Sequence, residues 1–247
     1  MSGPRARTLA TAGRVLRQLR HDPRTVALMI VVPCVLETLL CLIYTHRRGA
    51  FDRAGAPLLA IFPLVTVFLV TSIALLRERT SGTLERLLAT PLGRLELLVG
   101  YALAFGLLAT VQAVVVSALT LGPLGLHVRG SAALVVVLAV AVALLGMGLG
   151  LLASAFARSE FQVVQFMPAA ILPQLLLCGL LVARAQMPAA LHAISDLLPM
   201  SYAVDGMQRL TSSPTAGAAL WGDVAIVLAF AAGALVLGAG TLRRRTP

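Results

Sequence analysis

Long apolar runs separated by short stretches that carry arginine organise this chain. About 20 apolar residues cross a bilayer as a helix rising about 1.5 Å per residue. Six runs reach that length, at 25–44, 57–76, 97–121, 131–156, 162–182 and 221–242. They are too long and continuous for the alternation of barrel strands, and unpaired backbone groups are too costly in hydrocarbon for any other arrangement. The pattern therefore predicts an all-α polytopic membrane protein with six transmembrane helices. The fifth run contains Pro168 and Pro173 and is expected to kink there.

Two shorter patterns flank these runs. Ahead of the first, Leu9, Ala12, Leu16 and Leu19 recur at helical spacing while Arg7, Arg14, Arg17 and Arg20 point elsewhere. That describes an amphipathic helix lying in the membrane interface and ending near Asp22 and Pro23. It is either a basic anchor that sets topology or an elbow helix that contacts a cytoplasmic partner. Between the fifth and sixth runs, residues 183–220 are too apolar for a free loop. A short helix over 187–198 that dips into the outer leaflet accounts for this, because irregular backbone at that depth has to be covered. In the fourth run, Gly146, Gly148 and Gly150 lie near Ala153 and Ser154 and mark a close helix-packing surface. The expected organisation is an interfacial segment, 1–24, a six-helix domain, 25–242, and a basic tail, 243–247.

Composition agrees: 59% of the residues are hydrophobic, 12% are charged and the mean hydropathy is +0.93, which excludes a soluble domain. A net charge of +10 would suit nucleic acid, yet the aromatics are scattered and the basic residues sit between apolar runs. Membrane lipid, not nucleic acid, is the partner this implies. Fourteen of the twenty arginines fall on the face that holds both termini, which places the termini in the cytoplasm. Arg47, Arg48 and Arg53, in the first outer loop, run against that bias. The first run follows an arginine-rich stretch and has no A-x-A site, so it is expected to remain as an uncleaved helix.

Every one of the twenty basic residues other than histidine is arginine. A P-loop needs a lysine on the β- and γ-phosphates, so this polypeptide carries no Walker A site. ATP-driven work would have to be powered by another subunit. Cys34, Cys41 and Cys178 lie within apolar runs without ligand spacing, so neither a metal site nor a disulfide is expected. His21, His46, His127 and His192 all lie in flanks or loops, and there is no G-x-S-x-G or H-E-x-x-H motif. These absences argue against a membrane-embedded enzyme.

Among polar residues within the runs, Glu37 stands out because it lies midway along the first and cannot easily snorkel. It either faces a central route, attracting a cationic or hydrogen-bonding solute, or is a protonated group bonded to a neighbouring helix. Gln112, Gln162, Gln165 and Gln174 all suit packing by bonds across helices or could line the same route, for which Gln112 and Gln165 are the candidates. His192 and Asp196 stand four residues apart and read as solvated. Asp205 and Arg209 have the same spacing and read as a local salt bridge.

The loop after the second run is the densest in charge: Arg77-Glu78-Arg79-Thr80-Ser81-Gly82-Thr83-Leu84-Glu85-Arg86-Leu87-Leu88-Ala89-Thr90-Pro91-Leu92. Thr80, Ser81 and Gly82 are turn and cap residues, and Glu85 suits the first turn of a short helix that Thr90 and Pro91 end. A helix running through Gly82 would instead align Glu78 with Glu85; either way charge faces the cytoplasm.

This loop resembles the E-x-x-x-G-T-L-E-x-L-L pattern of ABC-2 type permeases, the membrane subunits of the daunorubicin-resistance type. The polar approach Gln18-Leu19-Arg20-His21-Asp22-Pro23-Arg24 is similar to that family's. So are Gly179, Pro188 and the stretch from Leu198 to Arg209, whose Pro199, Tyr202, Asp205 and Arg209 match or lie within a G…P…LP-x-x-Y-x-x-x-x-x-R signature. The resemblance implies an ATP-driven exporter of a bacterial plasma membrane, of the efflux and antibiotic-resistance kind. It implies ATP and Mg held by a separate ABC ATPase subunit, and a second permease copy or a paralogue as partner. Glu78, Gly82, Thr83, Leu84, Glu85, Leu87 and Leu88 would form the coupling helix that docks on the ATPase. Few aromatics favour an amphipathic drug-like or lipid-like substrate over a sugar polymer. The competing expectation is an ion-coupled carrier or channel, which would want more charged span residues than Glu37 and an internal repeat.

Overall fold

The computed structural model describes residues 4–82, 93–215 and 218–241. The described chain is helical throughout: α1 (Pro4–Arg20), α2 (Pro23–Ile43), α3 (Arg48–Thr80), α4 (Arg94–Leu121), α5 (Ala132–Ser154), α6 (Glu160–Leu177), α7 (Ala189–Ser195), α8 (Pro199–Ser212) and α9 (Ala218–Thr241), with one 3₁₀ turn at Arg184–Gln186. Six of these, α2 to α6 and α9, are long and apolar enough to cross a membrane.

Local chemistry explains the starts and stops. Asp22 caps α2, its carboxylate accepting from the Thr25 backbone N–H at 3.2 Å and the Thr25 hydroxyl at 2.6 Å, with Pro23 following in the first helical turn. Glu96 accepts from the Gly93 N–H at 3.1 Å at the start of α4. Ser159 accepts from the Gln162 N–H at 3.2 Å at the start of α6. Gly82, at φ +71°, terminates α3 in the left-handed region, so this helix does not run on through the glycine.

Two spans differ from their sequence-based bounds. The second was expected from Pro57, but α3 begins at Arg48 and holds Pro57 and Pro63 inside it. The extra turns pack at the end opposite the termini, where Asp52 accepts from the His127 N–H at 3.0 Å and Phe51 is buried. At 33 residues α3 is about 50 Å long, more than a bilayer core needs. The fifth was expected to reach Val182, but α6 ends at Leu177, and Gly179 at φ +90° turns the chain.

The core centres on α5, which packs on α3, α4, α8 and α9. The glycines explain how closely. A Cβ on Gly146 would stand 2.5 Å from the Leu64 carbonyl oxygen and one on Gly150 2.6 Å from that of Phe68, both on α3. On the other side, a Cβ on Gly148 would meet the Ala231 carbonyl oxygen of α9 at 2.8 Å. The small-residue stretch is thus a two-sided backbone contact. In α3 and α5, 56% of the most apolar window is buried, against 17% in α2 and α6, so the latter two lie at the periphery.

Candidate functional site

The last turn of α3 leads into residues 83–92, which lie outside the described set together with five of the expected coupling residues, Thr83, Leu84, Glu85, Leu87 and Leu88. Of that group, Glu78 and Gly82 are described. Glu78 turns inward, 5% exposed, to meet Arg14 of α1. The guanidinium forks onto the carboxylate, Nη1 to Oε1 at 3.1 Å and Nη2 to Oε2 at 2.9 Å, and Nη2 also donates to the Tyr101 hydroxyl at 2.6 Å. Tyr101, on α4 and 1% exposed, donates its own hydroxyl hydrogen to Glu78. The Arg14 guanidinium carbon lies 5.7 Å from the Tyr101 ring centroid, adding a cation–π contact. A forked arginine–carboxylate pair closed by a phenol fixes both distance and orientation.

The neighbouring charges tie further helices to the same place. Arg77 pairs with Glu160 at the start of α6, at 2.6 Å and 3.1 Å. Arg79 donates to the Ser154 carbonyl at the end of α5, where a cation suits the negative end of the helix dipole. Glu96, in the first turn of α4, lies 3.8 Å from Arg7 of α1. Both flanks of segment 83–92 are therefore tied by short polar links, to α1, α4, α5 and α6. A cavity of about 210 Å³ beside this node is lined by Gln18, Asp22, Ile73, Arg77 and Phe105, among others. The Thr25 hydrogen bonds hold the Asp22 carboxyl below its usual value.

The amphipathic reading of α1 needs one correction. Its buried stripe is Thr11, Ala12 and Val15, while Leu9 is exposed and Arg14 points inward to Glu78. The apolar face is rotated because Gly100 of α4 admits α1 closely; a Cβ there would stand 2.7 Å from the Thr11 Cβ.

At the opposite end the short helix expected over 187–198 is α7, Ala189–Ser195, and a further helix outside that range, α8, follows it. Arg184 bonds both Asp196 and Asp205 and lies over the Tyr202 ring at 5.8 Å, while the Tyr202 hydroxyl donates to the Asp196 carbonyl at 2.7 Å. Asp205 and Arg209 do not pair with each other as their spacing implied. Asp205 turns to Arg184 and Arg209 to Asp223 of α9, because α8 presents them to different neighbours. His192 Nδ1 lies 3.3 Å from Asp196, and both side chains are exposed, as expected of a solvated pair. Pro199 opens α8, whose Met200, Ala203, Val204, Met207 and Leu210 are buried.

The three candidates for an internal route are not brought together. Glu37 and Gln112 are both fully buried, and Gln112 bonds Thr66 of α3 at 2.6 Å. Gln165 is exposed on α6. Sequence reasoning missed α8, although Met200, Ala203, Val204, Met207 and Leu210 follow helical spacing after a Leu-Pro start. It also missed Asp223, an acidic residue within the sixth run, which the criterion that singled out Glu37 would have found.

A family model described as "ABC-2 type transporter" matches residues 7–210. Similar proteins include "Probable multidrug ABC transporter permease YbhS" of Escherichia coli (strain K12), 31% identical over 185 residues, which are 70% of this chain and 48% of that protein. "Probable multidrug ABC transporter permease YbhR" of the same strain is 28% identical over 148 residues, 60% of this chain and 40% of that protein. "Linearmycin resistance permease protein LnrN" of Bacillus subtilis (strain 168) is 26% identical over 216 residues, 86% of this chain and 55% of that protein. The chain spans about half the length of the curated relatives it matches.

Proposed function

Because the chain belongs to the ABC-2 type transporter family, we propose that it is the membrane-spanning permease of an ATP-driven exporter in a bacterial plasma membrane. ATP and Mg are bound and hydrolysed on a separate ABC ATPase subunit, consistent with the absence of lysine from the whole sequence. Both termini and segment 83–92 face the cytoplasm, in line with the arginine bias. Segment 83–92 is the part that docks on the ATPase, with Glu85 and its leucines against a groove.

The observation that carries this reading is the node of Arg14, Glu78 and Tyr101. A docking segment transmits force only if its stems are fixed to the spans, and here they are fixed to four helices. A flexible topology loop needs no such anchorage. The permease pairs with a second copy or with a paralogue; YbhS and YbhR, both similar to this chain, are two permeases of one organism. The cargo is an amphipathic drug-like or lipid-like molecule. The relatives' names speak of multidrug transport and of linearmycin resistance.

Affinity purification of the tagged chain in mild detergent, with mass spectrometry of what it retains, tests the proposal. A P-loop ATPase is expected to co-purify and to be lost when Glu85→Arg reverses the charge, while membrane insertion is kept. Recovery of the chain without an ATPase from native-lipid preparations would favour the ion-coupled carrier or channel instead.

A further inference from the structure

The cavity beside the Arg14–Glu78 node has a chemically divided lining. It measures about 210 Å³ and lies where the corner between α1 and α2 meets α3 and α4. On α3 it is lined by Leu69, Val70, Ile73, Ala74, Arg77 and Glu78, which recur at helical spacing and so form one stripe. From Leu69 to Arg77 that stripe is about 12 Å long at about 1.5 Å per residue. Leu69, Val70, Ile73 and Ala74 are half-buried, whereas Val67, Phe68, Leu75 and Leu76 beside them are buried, so the stripe is the floor of a groove. Phe105 of α4 joins its apolar end, one turn deeper than Tyr101.

The mouth is polar and carries both signs of charge. Gln18 and Asp22 line it from the α1–α2 corner, and Arg77 from the last turns of α3. The Thr25 hydrogen bonds, and after them the charge of Arg77, hold the Asp22 carboxyl below its usual value. The two charges nevertheless bond elsewhere: Arg77 gives Nε and Nη2 to Glu160, and Asp22 accepts from the Thr25 backbone N–H and hydroxyl. Among the described residues this leaves the Nη1 hydrogens of Arg77 and the remaining lone pairs of Asp22 for a ligand. Glu78, the third charge on the lining, is already closed by Arg14 and Tyr101.

This lining discriminates among membrane molecules. Opposite charges that face one space without bonding each other are the complement of a zwitterion. An anionic head finds Arg77 but is repelled by Asp22, and a choline head meets Asp22 without an N–H to donate. A drug-sized molecule is too large, since the pockets that enclose one measure about 300–1,000 Å³. A primary ammonium and a phosphate on one chain-bearing molecule satisfy every part: the ammonium donates to Asp22 and Gln18, the phosphate accepts from Arg77, and the upper part of one acyl chain lies along the α3 stripe. The depth agrees, because the charged ends of α1 and α3 stand where the apolar spans begin, the level of lipid head groups.

We infer that this cavity binds a phospholipid with an ethanolamine head, its ammonium at Asp22, its phosphate at Arg77 and one acyl chain on Leu69, Val70 and Ile73. That the lipid comes from the cytoplasmic leaflet rests on the orientation proposed above; the head-group chemistry does not.

The test uses the full chain in nanodiscs of phosphatidylglycerol that contain a trace of phosphatidylethanolamine with a photoactivatable diazirine on one acyl chain. Illumination followed by peptide mass spectrometry reads where the lipid lies. An adduct within residues 69–77 or on the peptide of Phe105 is expected. Unlabelled phosphatidylethanolamine should displace it at about one-tenth the amount of phosphatidylcholine required, the scale of one charge-assisted hydrogen bond. Arg77→Gln should lower the adduct by about tenfold while the thermal midpoint barely moves, because the ion pair it breaks is exposed. Asp22→Asn should abolish the preference for ethanolamine over choline. Ile73→Trp fills the groove and should remove the adduct with both charges intact. An adduct that is absent, that both lipids displace equally, that ignores Arg77→Gln or that lies away from this lining marks only lipid around the bundle, and overturns the site. A disc offers lipid on both faces, so the outcome does not depend on which way the chain points, and the ATPase in the affinity purification tests the exporter separately.

Discussion

The two ends of the bundle use the same chemistry, arginine on carboxylate, for different purposes. At the end holding α1, the last turn of α3 reaches α1, α4, α5 and α6, so its polar links join elements far apart in sequence. At the other end, Arg184 closes on Asp196 and Asp205, within a turn and two short helices that follow one another in the chain. The first set ties several helices together, and the second holds a local element in shape. Each of these arginines has a carboxylate partner, whereas among the described residues neither oxygen of Glu37 in the middle has a hydrogen-bond partner.

The sharpest way to break the contrast is Glu78→Ala. It leaves Arg14 partly buried without its carboxylate and should cost about 3–5 kcal/mol, seen as a lowered thermal midpoint in detergent. If the node also transmits force, stimulation of the partner ATPase should fall by more than tenfold. Exchanging the charges, Arg14→Glu with Glu78→Arg, should recover part of both. Arg184→Ala should cost about 2 kcal/mol, from Asp205 left without its cation and Asp196 left with His192 alone, yet leave association with the ATPase intact. An Arg184→Ala variant that uncoupled the ATPase as strongly as Glu78→Ala would erase the distinction between the ends.

Tyr101→Phe removes one donor from a buried carboxylate and should cost about 1–2 kcal/mol, with a smaller loss of coupling than Glu78→Ala. Arg77→Ala breaks an ion pair whose side chains are 60% and 50% exposed, so a shift beyond about 0.5 kcal/mol is not expected. The smallest effect concerns Asp22, whose carboxyl is held low by Thr25. Its contribution is complete above the unfolded-state value and fades as pH falls through the lowered folded value, so Asp22→Asn should flatten the acid side of the stability profile.

Much of the architecture was legible along the chain. The six spans follow from apolar run length, because burying backbone in lipid permits only helices. The packing role of Gly146, Gly148 and Gly150 follows from residue size. Where the reading slipped, two forces competed. Pro57 looks like a boundary, yet a long helix tolerates it when neighbours cover the freed carbonyl, and α3 runs nine residues beyond it toward Arg48. Asp205 and Arg209 have the spacing of a helix pair, but α8 is buried on one side and offers each a stronger partner outside its own helix.

By itself the sequence determined the class of the protein, the number of its spans, the lack of a P-loop lysine and the residues that resemble a permease family. Each depends on composition or on contacts a few residues apart. Only the tertiary structure decided that Arg14, 64 residues away, is the partner of Glu78, that α1 is rotated to present it, and that Glu37 has no hydrogen-bond partner among the described residues. The reason is physical: a polar side chain in a helix is compatible with many partners, and which one it meets depends on how helices distant in the chain pack together.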